Sequence, residues 1–550
     1  MKSKNEKIFS LILLLIIILG AFVVRFYNID NAPSGIYPDE AENGFDALNA
    51  LQNNDYKLFY TGNNGREGLF INLISLSVRF LNTSMLSLKL PSIIFGTLTV
   101  LGVYLLTKEL FRSRRAGIIA AFFTAFSFWS INFSRIAFRA VMLPTILTFS
   151  FYYLFCGIRY NKIIYNIKNK KFWTTSIFKS YLCFAAAGLI FGIGLHTYIS
   201  FRIAPFILLL SFIALWITKK HFWRDYWKQS LIFIFTAFVT MAPLLWDFYQ
   251  HPEYFSSRSG SISIFSPEMN QGHIIKTFFR SLGLSLVKYN FWGDQNWRHN
   301  YPPYPILNPI LGFTFLIGLV YLIIKWFHLL FLRIKHKIRD RKFYVYTFIL
   351  AWFFTMLAPE FLTAEGLPHA LRSIGTLPVT FIIATVPFLW LLGKRDKFGY
   401  GFKFFVNSFL IITIPFIGIF EIIKYHYFWT NNVNQYISFD RYLKEISDYS
   451  NTLPKDTEKY IIADQYTTLP LRFLNSNDEN IYFVWDVHVL FIEPTNNNFV
   501  IFETHPKKEI KEQILTKFPN IKETQHNKDG GGYFSEFTYT DNQIDSNINY

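Results

Sequence analysis

The sequence predicts an all-α polytopic membrane domain followed by a small α/β domain outside the membrane. Of its 550 residues, 51% are hydrophobic, 20% aromatic and only 17% charged, where soluble domains carry about 25% charge. The apolar residues come in unbroken blocks of spanning length rather than at amphipathic spacing. The basic residues gather in every second loop between those blocks, which is the positive-inside pattern.

Taken in order, the first block is 8–24, and Leu11 to Gly20 holds no polar side chain. Arg25-Phe26-Tyr27 follows instead of a small-residue cleavage site, so it reads as a retained span. Helices are then expected near 8–26, 90–108, 116–134, 141–158, 181–199, 203–218, 230–248, 306–328, 343–361, 374–392 and 404–424. That is about eleven transmembrane helices in a first domain, 1–425, with the N-terminus cytoplasmic. The odd count puts a first outer loop (27–89), an outer lid (249–305), a short turn (361–373) and the tail outside. Within those segments 69–81 and 273–286 are apolar but too short to span, which suits interfacial or re-entrant helices. The polar stretch YNFWGDQNWRHNYPPYP fits either an interfacial anchor or a sugar-stacking lip. The second domain, 426–550, reads as helices at 438–453 and 507–518 with strands at 459–463, 480–485, 498–503 and 532–538.

The net charge of +17 does not mark a nucleic-acid binder, because its cations sit in alternate loops. Examples are Lys108, Arg112, Arg114 and Arg115, then 159–171, 219–228, 333–342 and 394–403. Two cysteines, Cys156 and Cys183, offer no disulfide framework. The sequence has no P-loop, G-x-G-x-x-G or Cys/His metal spacing.

The exterior segments hold the candidate chemistry. Tyr37-Pro38-Asp39-Glu40-Ala41-Glu42-Asn43-Gly44 sets adjacent carboxylates at a membrane face, where charge is costly unless solvated or used. The same residues also read as a helix start, with Pro38 at the first position and acids complementing the dipole. Arg66, Glu67 and Gly68 follow in the same loop. Other outward turns carry Arg135 and Arg139, Tyr198 and Arg202, His251 and Arg258, and His369 and Arg372. A lone arginine there is ordinarily an interfacial snorkeler. Five on one face suit an anion, since the guanidinium fork matches phosphate and keeps its charge at any relevant pH.

The combined order of PDEAENG, REGLF, KLPSIIFGTLTVLGVYLL, RRAGIIAAFFTAFS, FSRIAFRA, YISFR and HPEYFSSR resembles the glycosyltransferase family 39 group over roughly 8–425. That group includes protein O-mannosyltransferases and lipid A aminoarabinose transferases, with the GT-C membrane fold. The resemblance implies transfer of a sugar from a polyprenyl-phosphate donor to an extracytoplasmic protein, lipid or glycan acceptor at the cytoplasmic membrane. It gives Asp39 the catalytic position and Glu40 the second place of an acidic pair. Glu67 matches a further acidic position, where the aminoarabinose transferases continue with Lys-Pro. This chain has Gly68-Leu69 there, with Arg66 before it, which leaves the partner of Glu67 open.

The chemistry agrees. An acceptor hydroxyl needs a carboxylate base, here Asp39, and a phosphate leaves as an anion without an acid. Arg135, Arg139, Arg202, Arg258 and Arg372 would bind that phosphate and stabilise its charge. Glu67, Arg66, His251, His369 and Tyr198 would contact substrate. A single displacement predicts inversion. No cofactor is required, although Glu67 with His251 could bind a divalent ion. A nucleotide-sugar donor would call for Asp-x-Asp, which is absent. The alternatives are a flippase of lipid-linked sugars, which would bury ionisable groups at mid-membrane, and an oligosaccharyltransferase, whose Trp-Trp-Asp-Tyr-Gly signature is missing from the tail.

Overall fold

The computed structural model describes residues 2–164, 170–256, 262–395, 397–495, 498–527 and 533–539. Arg258 lies outside them. The chain divides into two compact units, one of Met1–Tyr27, Tyr56–Asn72 and Pro91–Tyr427, the other of Asn28–Asp55, Leu73–Leu90 and Phe428–Tyr550. The second therefore combines the tail with two pieces of what reads in sequence as the first outer loop.

The first unit is helical. Ten helices among the described residues are long and apolar enough to cross a membrane, from Asn5–Phe26 to Tyr400–Trp429, and the protein is a multi-pass membrane protein. The span expected near 116–134 is not one continuous helix. It consists of Arg114–Phe126 and Phe128–Phe133, with Ser127 between them capping the second through its hydroxyl. The pair nevertheless runs the length of the first span. Arg115 pairs with Glu6 at one end (3.8 Å), and Arg25 reaches Ala125 O and Ser130 Oγ at the other, both at 2.8 Å. Nineteen helical residues separate Glu6 from Arg25, about 28 Å of rise. The break is satisfied rather than loose. The Phe128 N–H is taken by the Glu421 carboxylate (2.6 Å), and Arg25 takes the Thr124 and Ala125 carbonyls that the break frees.

The loops that charge assigns to one side do meet at one end of this bundle. Arg112 and Arg159 share Glu109 (3.2 and 3.3 Å), and Arg341 donates to the Glu109 and Leu110 carbonyls. The short apolar segments form the helices Leu69–Leu81 and Ile274–Val287.

In the second unit a five-stranded mixed sheet is built from β3 (Glu458–Ile462), β4 (Ile481–Val484), β5 (Phe499–Glu503), β6 (Lys522–Asn527) and β7 (Tyr533–Tyr539), in the order β4-β3-β5-β7-β6. β1 (Phe59–Tyr60) and β2 (Arg66–Glu67) belong to the first unit. The central strands β3 and β5 are buried along their whole length, as expected where helices cover both faces. Alternate residues divide two cores. Tyr460, Ile462, Phe499 and Ile501 pack with Ile510 and Ile514, while Ile461, Val500 and Phe502 pack with Leu443, Ile446 and Leu471. The helix Pro38–Asn53 joins this unit by packing on Gln465–Leu474. A Cβ on Gly44 would stand 2.8 Å from the Phe473 ring, so a larger residue there would force the helices apart.

Candidate active site

In the first unit, turns that the charge pattern assigns to the exterior converge on a cavity of about 390 Å³ whose lining includes Glu67, Arg139, Tyr198, Arg202, His369 and Arg372. Glu67 is placed by the antiparallel pairing of β1 and β2, with Phe59 opposite it. The connecting turn passes through Gly65 at φ 84°, a conformation that favours glycine. Strand alternation sends Glu67 and Arg66 to opposite faces. Arg66 is buried and its Nε donates to Gly62 O (3.2 Å), which holds the loop.

The partner that the sequence leaves open for Glu67 is Arg139, whose Nε donates at 2.7 Å, with Arg202 second at 3.8 Å. Glu67 is only 2% exposed. Arg139 also lies over the Tyr198 ring and Arg202 over Phe255. Arg372 donates to Thr363 Oγ1 (3.0 Å) and to the Glu365 carbonyl. The cavity thus sets three guanidiniums against one carboxylate, and Phe59, Tyr254, Phe255, Phe265 and Leu362 form an apolar wall. Such a site can hold an anion attached to an apolar tail.

Behind His369 lies a buried polar network. Asp294 Oδ2 accepts from Ala370 N–H (2.7 Å) and faces His299 Nδ1 (3.0 Å). The His299 and His369 ring centroids are 4.7 Å apart. Burial and the nearby His299, Arg372 and Lys288 hold His369 well below the usual imidazole range. Burial alone would raise Asp294, but His299, His369 and the Ala370 N–H outweigh it and lower it. Lys288, pushed well down by burial, pairs with Glu360 and donates to Ser373 Oγ (2.6 Å). Asp294, His299 and His369 form a group able to hold a metal ion. Their surroundings fit one poorly. Asp294 already serves two donors, and Arg372 adds positive charge beside His369. Of the pair considered from sequence, His251 is exposed beside Glu253 (3.5 Å), and Glu67 serves arginines.

Other expected residues lie elsewhere. Arg135 is fully buried, donates to the Val24 and Arg25 carbonyls (2.9 and 2.7 Å) and lies over Tyr425. It lines no part of the cavity. Asp39 and Glu40 belong to the second unit, in the first turn of Pro38–Asn53. Glu40 closes the helix start by accepting the Tyr37 N–H (3.2 Å). The helix-start reading of the acidic motif therefore holds. The sequence reading passed over Lys288, Asp294, His299 and Glu360. An acidic residue at the end of an apolar span was the available signal for Glu360.

The fold is the GT-C fold of membrane glycosyltransferases. One similar solved structure is the oligosaccharyltransferase of Archaeoglobus fulgidus tethered to an acceptor peptide. Its TM-score is 0.53 at 15% identity, over 98% of this chain and 75% of that one. Another is ArnT of Cupriavidus metallidurans bound to undecaprenyl phosphate, with TM-score 0.51 at 11% identity, over 95% of this chain and 97% of that one. No protein-family model matches the sequence, and no curated protein does.

Proposed function

We propose that the protein is an integral-membrane glycosyltransferase that moves a sugar from a polyprenyl-phosphate donor to an acceptor on the outer face of the cytoplasmic membrane. The observation that carries this reading is the cavity in which Arg139, Arg202 and Arg372 meet beside an apolar aromatic wall. Its chemistry suits a lipid-borne phosphate. The likeness to ArnT solved with undecaprenyl phosphate and to an oligosaccharyltransferase solved with an acceptor peptide supports the same class.

In this mechanism Asp39 removes the acceptor hydroxyl proton as that oxygen attacks the anomeric carbon. The bond from that carbon to the phosphate oxygen breaks in the same step, with inversion. The guanidiniums stabilise the departing phosphate. The catalytic role of Asp39 rests on its motif. No step requires a metal.

The test is transfer by the purified protein in proteoliposomes containing donor and an envelope extract, read by mass spectrometry of the products. Asp39→Asn should abolish transfer and still retain undecaprenyl phosphate. Transfer at the wild-type rate by that variant would remove the proposed base.

A further inference from the structure

A large basic cavity lies at the opposite end of the helical unit from the candidate site. Arg139 and Arg159 bound one span, Arg139–Asn161. Twenty residues apart, they are separated by about 30 Å of helix. Arg139 lines the candidate site, while Arg159 lines a cavity of about 950 Å³. That volume is at the upper end of the ~300–1,000 Å³ of ligand pockets.

Five cations line it: Lys108, Arg112, Arg114, Arg115 and Arg159. They come from the end of one helix, the start of the next and the end of a third. The only acids in the lining are Glu6 and Glu109, so it carries a net charge of +3. Glu109 is divided between Arg112 and Arg159, and Glu6 lies 3.8 Å from Arg115. Arg114 is exposed and makes no ion pair among the described residues. The other wall is aliphatic, with Leu13 from the first span, Ile118 from the helix Arg114–Phe126, and Leu410 and Ile411 from the last span. Ile411 is 71% exposed on the face a spanning helix turns to lipid.

Positive charge alone would follow from topology. Topology does not require the guanidiniums to surround a recess, nor the recess to open along an aliphatic wall. We infer that this cavity binds the headgroup of an anionic glycerophospholipid from the leaflet opposite the candidate site. The arginines would hold the phosphate and the aliphatic wall the upper acyl chains. This inference is independent of the proposed enzymatic reading, since no residue of the candidate site takes part.

Native mass spectrometry tests it on the full chain released from nanodiscs holding equal phosphatidylglycerol and phosphatidylethanolamine. The wild type should retain phosphatidylglycerol preferentially. Arg112→Gln with Arg114→Gln should lower that retention about fivefold per cation removed, from roughly 1 kcal/mol for each basic residue. Arg112→Lys with Arg114→Lys keeps the topogenic charge and should give an intermediate loss, which separates misinsertion from lost binding. Soluble glycerol 3-phosphate should not displace the lipid, because it lacks the chains. Equal retention of both lipids by the wild type, unchanged preference in the Gln variant, or displacement by glycerol 3-phosphate would each overturn the inference.

Discussion

Glu67 and Arg139 show how a single ion pair can fix a site. Glu67 is buried and its nearest cation is Arg139 at 2.7 Å, Arg202 being more than an ångström further away. Removing the nearer guanidinium strands a desolvated carboxylate, and breaking such a pair costs about 3–5 kcal/mol. Arg139→Gln should therefore lower the thermal unfolding midpoint in detergent and weaken undecaprenyl phosphate retention together. Adding Glu67→Gln to that variant should recover most of the stability and none of the retention. Recovery of both would mean that Arg139 only holds the loop. At this scale the arginines were legible because positive-inside bias makes an exterior arginine anomalous. Which of them share a cavity was not. Arg135 carries the same sequence signal as Arg139, four residues away, yet it spends its donors on the Val24 and Arg25 carbonyls.

Elements were legible where periodicity is strong. The buried strands β3 and β5 announce themselves as apolar runs, whereas β6, of sequence KETQHN, has no apolar face and forms only because β7 offers it a ladder. The helix Gln465–Leu474 contains Pro470 and so reads as a breaker. The interruption at Ser127 is likewise invisible in hydropathy, since its caps come from Ser127 itself and from Glu421 across the bundle. The end of β5 carries a consequence for pH. Glu503 is 1% exposed, accepts only the Lys507 N–H on one oxygen and has its other oxygen buried without a partner. Burial pushes its pKa up to about 7, against about 4.3 in an unfolded chain. The fold thus prefers the protonated acid. Its stabilising contribution is complete below about pH 4 and is lost as pH rises toward 7. Amide protection along β5, corrected for intrinsic exchange, should be higher at pH 5 than at pH 8 in the full-length protein. Glu503→Gln should flatten that difference; an unchanged pH dependence in the variant would assign it to another group.

On the scale of the whole chain, hydropathy announces the membrane unit but not the composition of its companion. Gly44 meets Phe473 across more than four hundred residues, and Thr83 bonds Ser476 at 2.9 Å. Neither pairing leaves a periodic trace in sequence. What charge does dictate is sidedness. Cations of separate predicted inner loops gather about Glu109 at one end of the helical unit, while Glu67, Arg139, Arg202 and Arg372 line the cavity at the other. The positive-inside rule places the first group in the cytoplasm, so the candidate site should open outside. Single cysteines can test this in a background with Cys156→Ala and Cys183→Ala. Thr61 and Lys337 are both exposed, the first in the loop that carries β1 and β2, the second beyond the helix Pro309–His336. Thr61→Cys should react with a membrane-impermeant maleimide in intact cells. Lys337→Cys should react only once the membrane is opened. A donor carried on polyprenyl phosphate at the outer face can be used only by a site that opens there. Labelling of Lys337→Cys alone in intact cells would therefore put the arginine cavity in the cytoplasm and exclude the proposed reaction at that face.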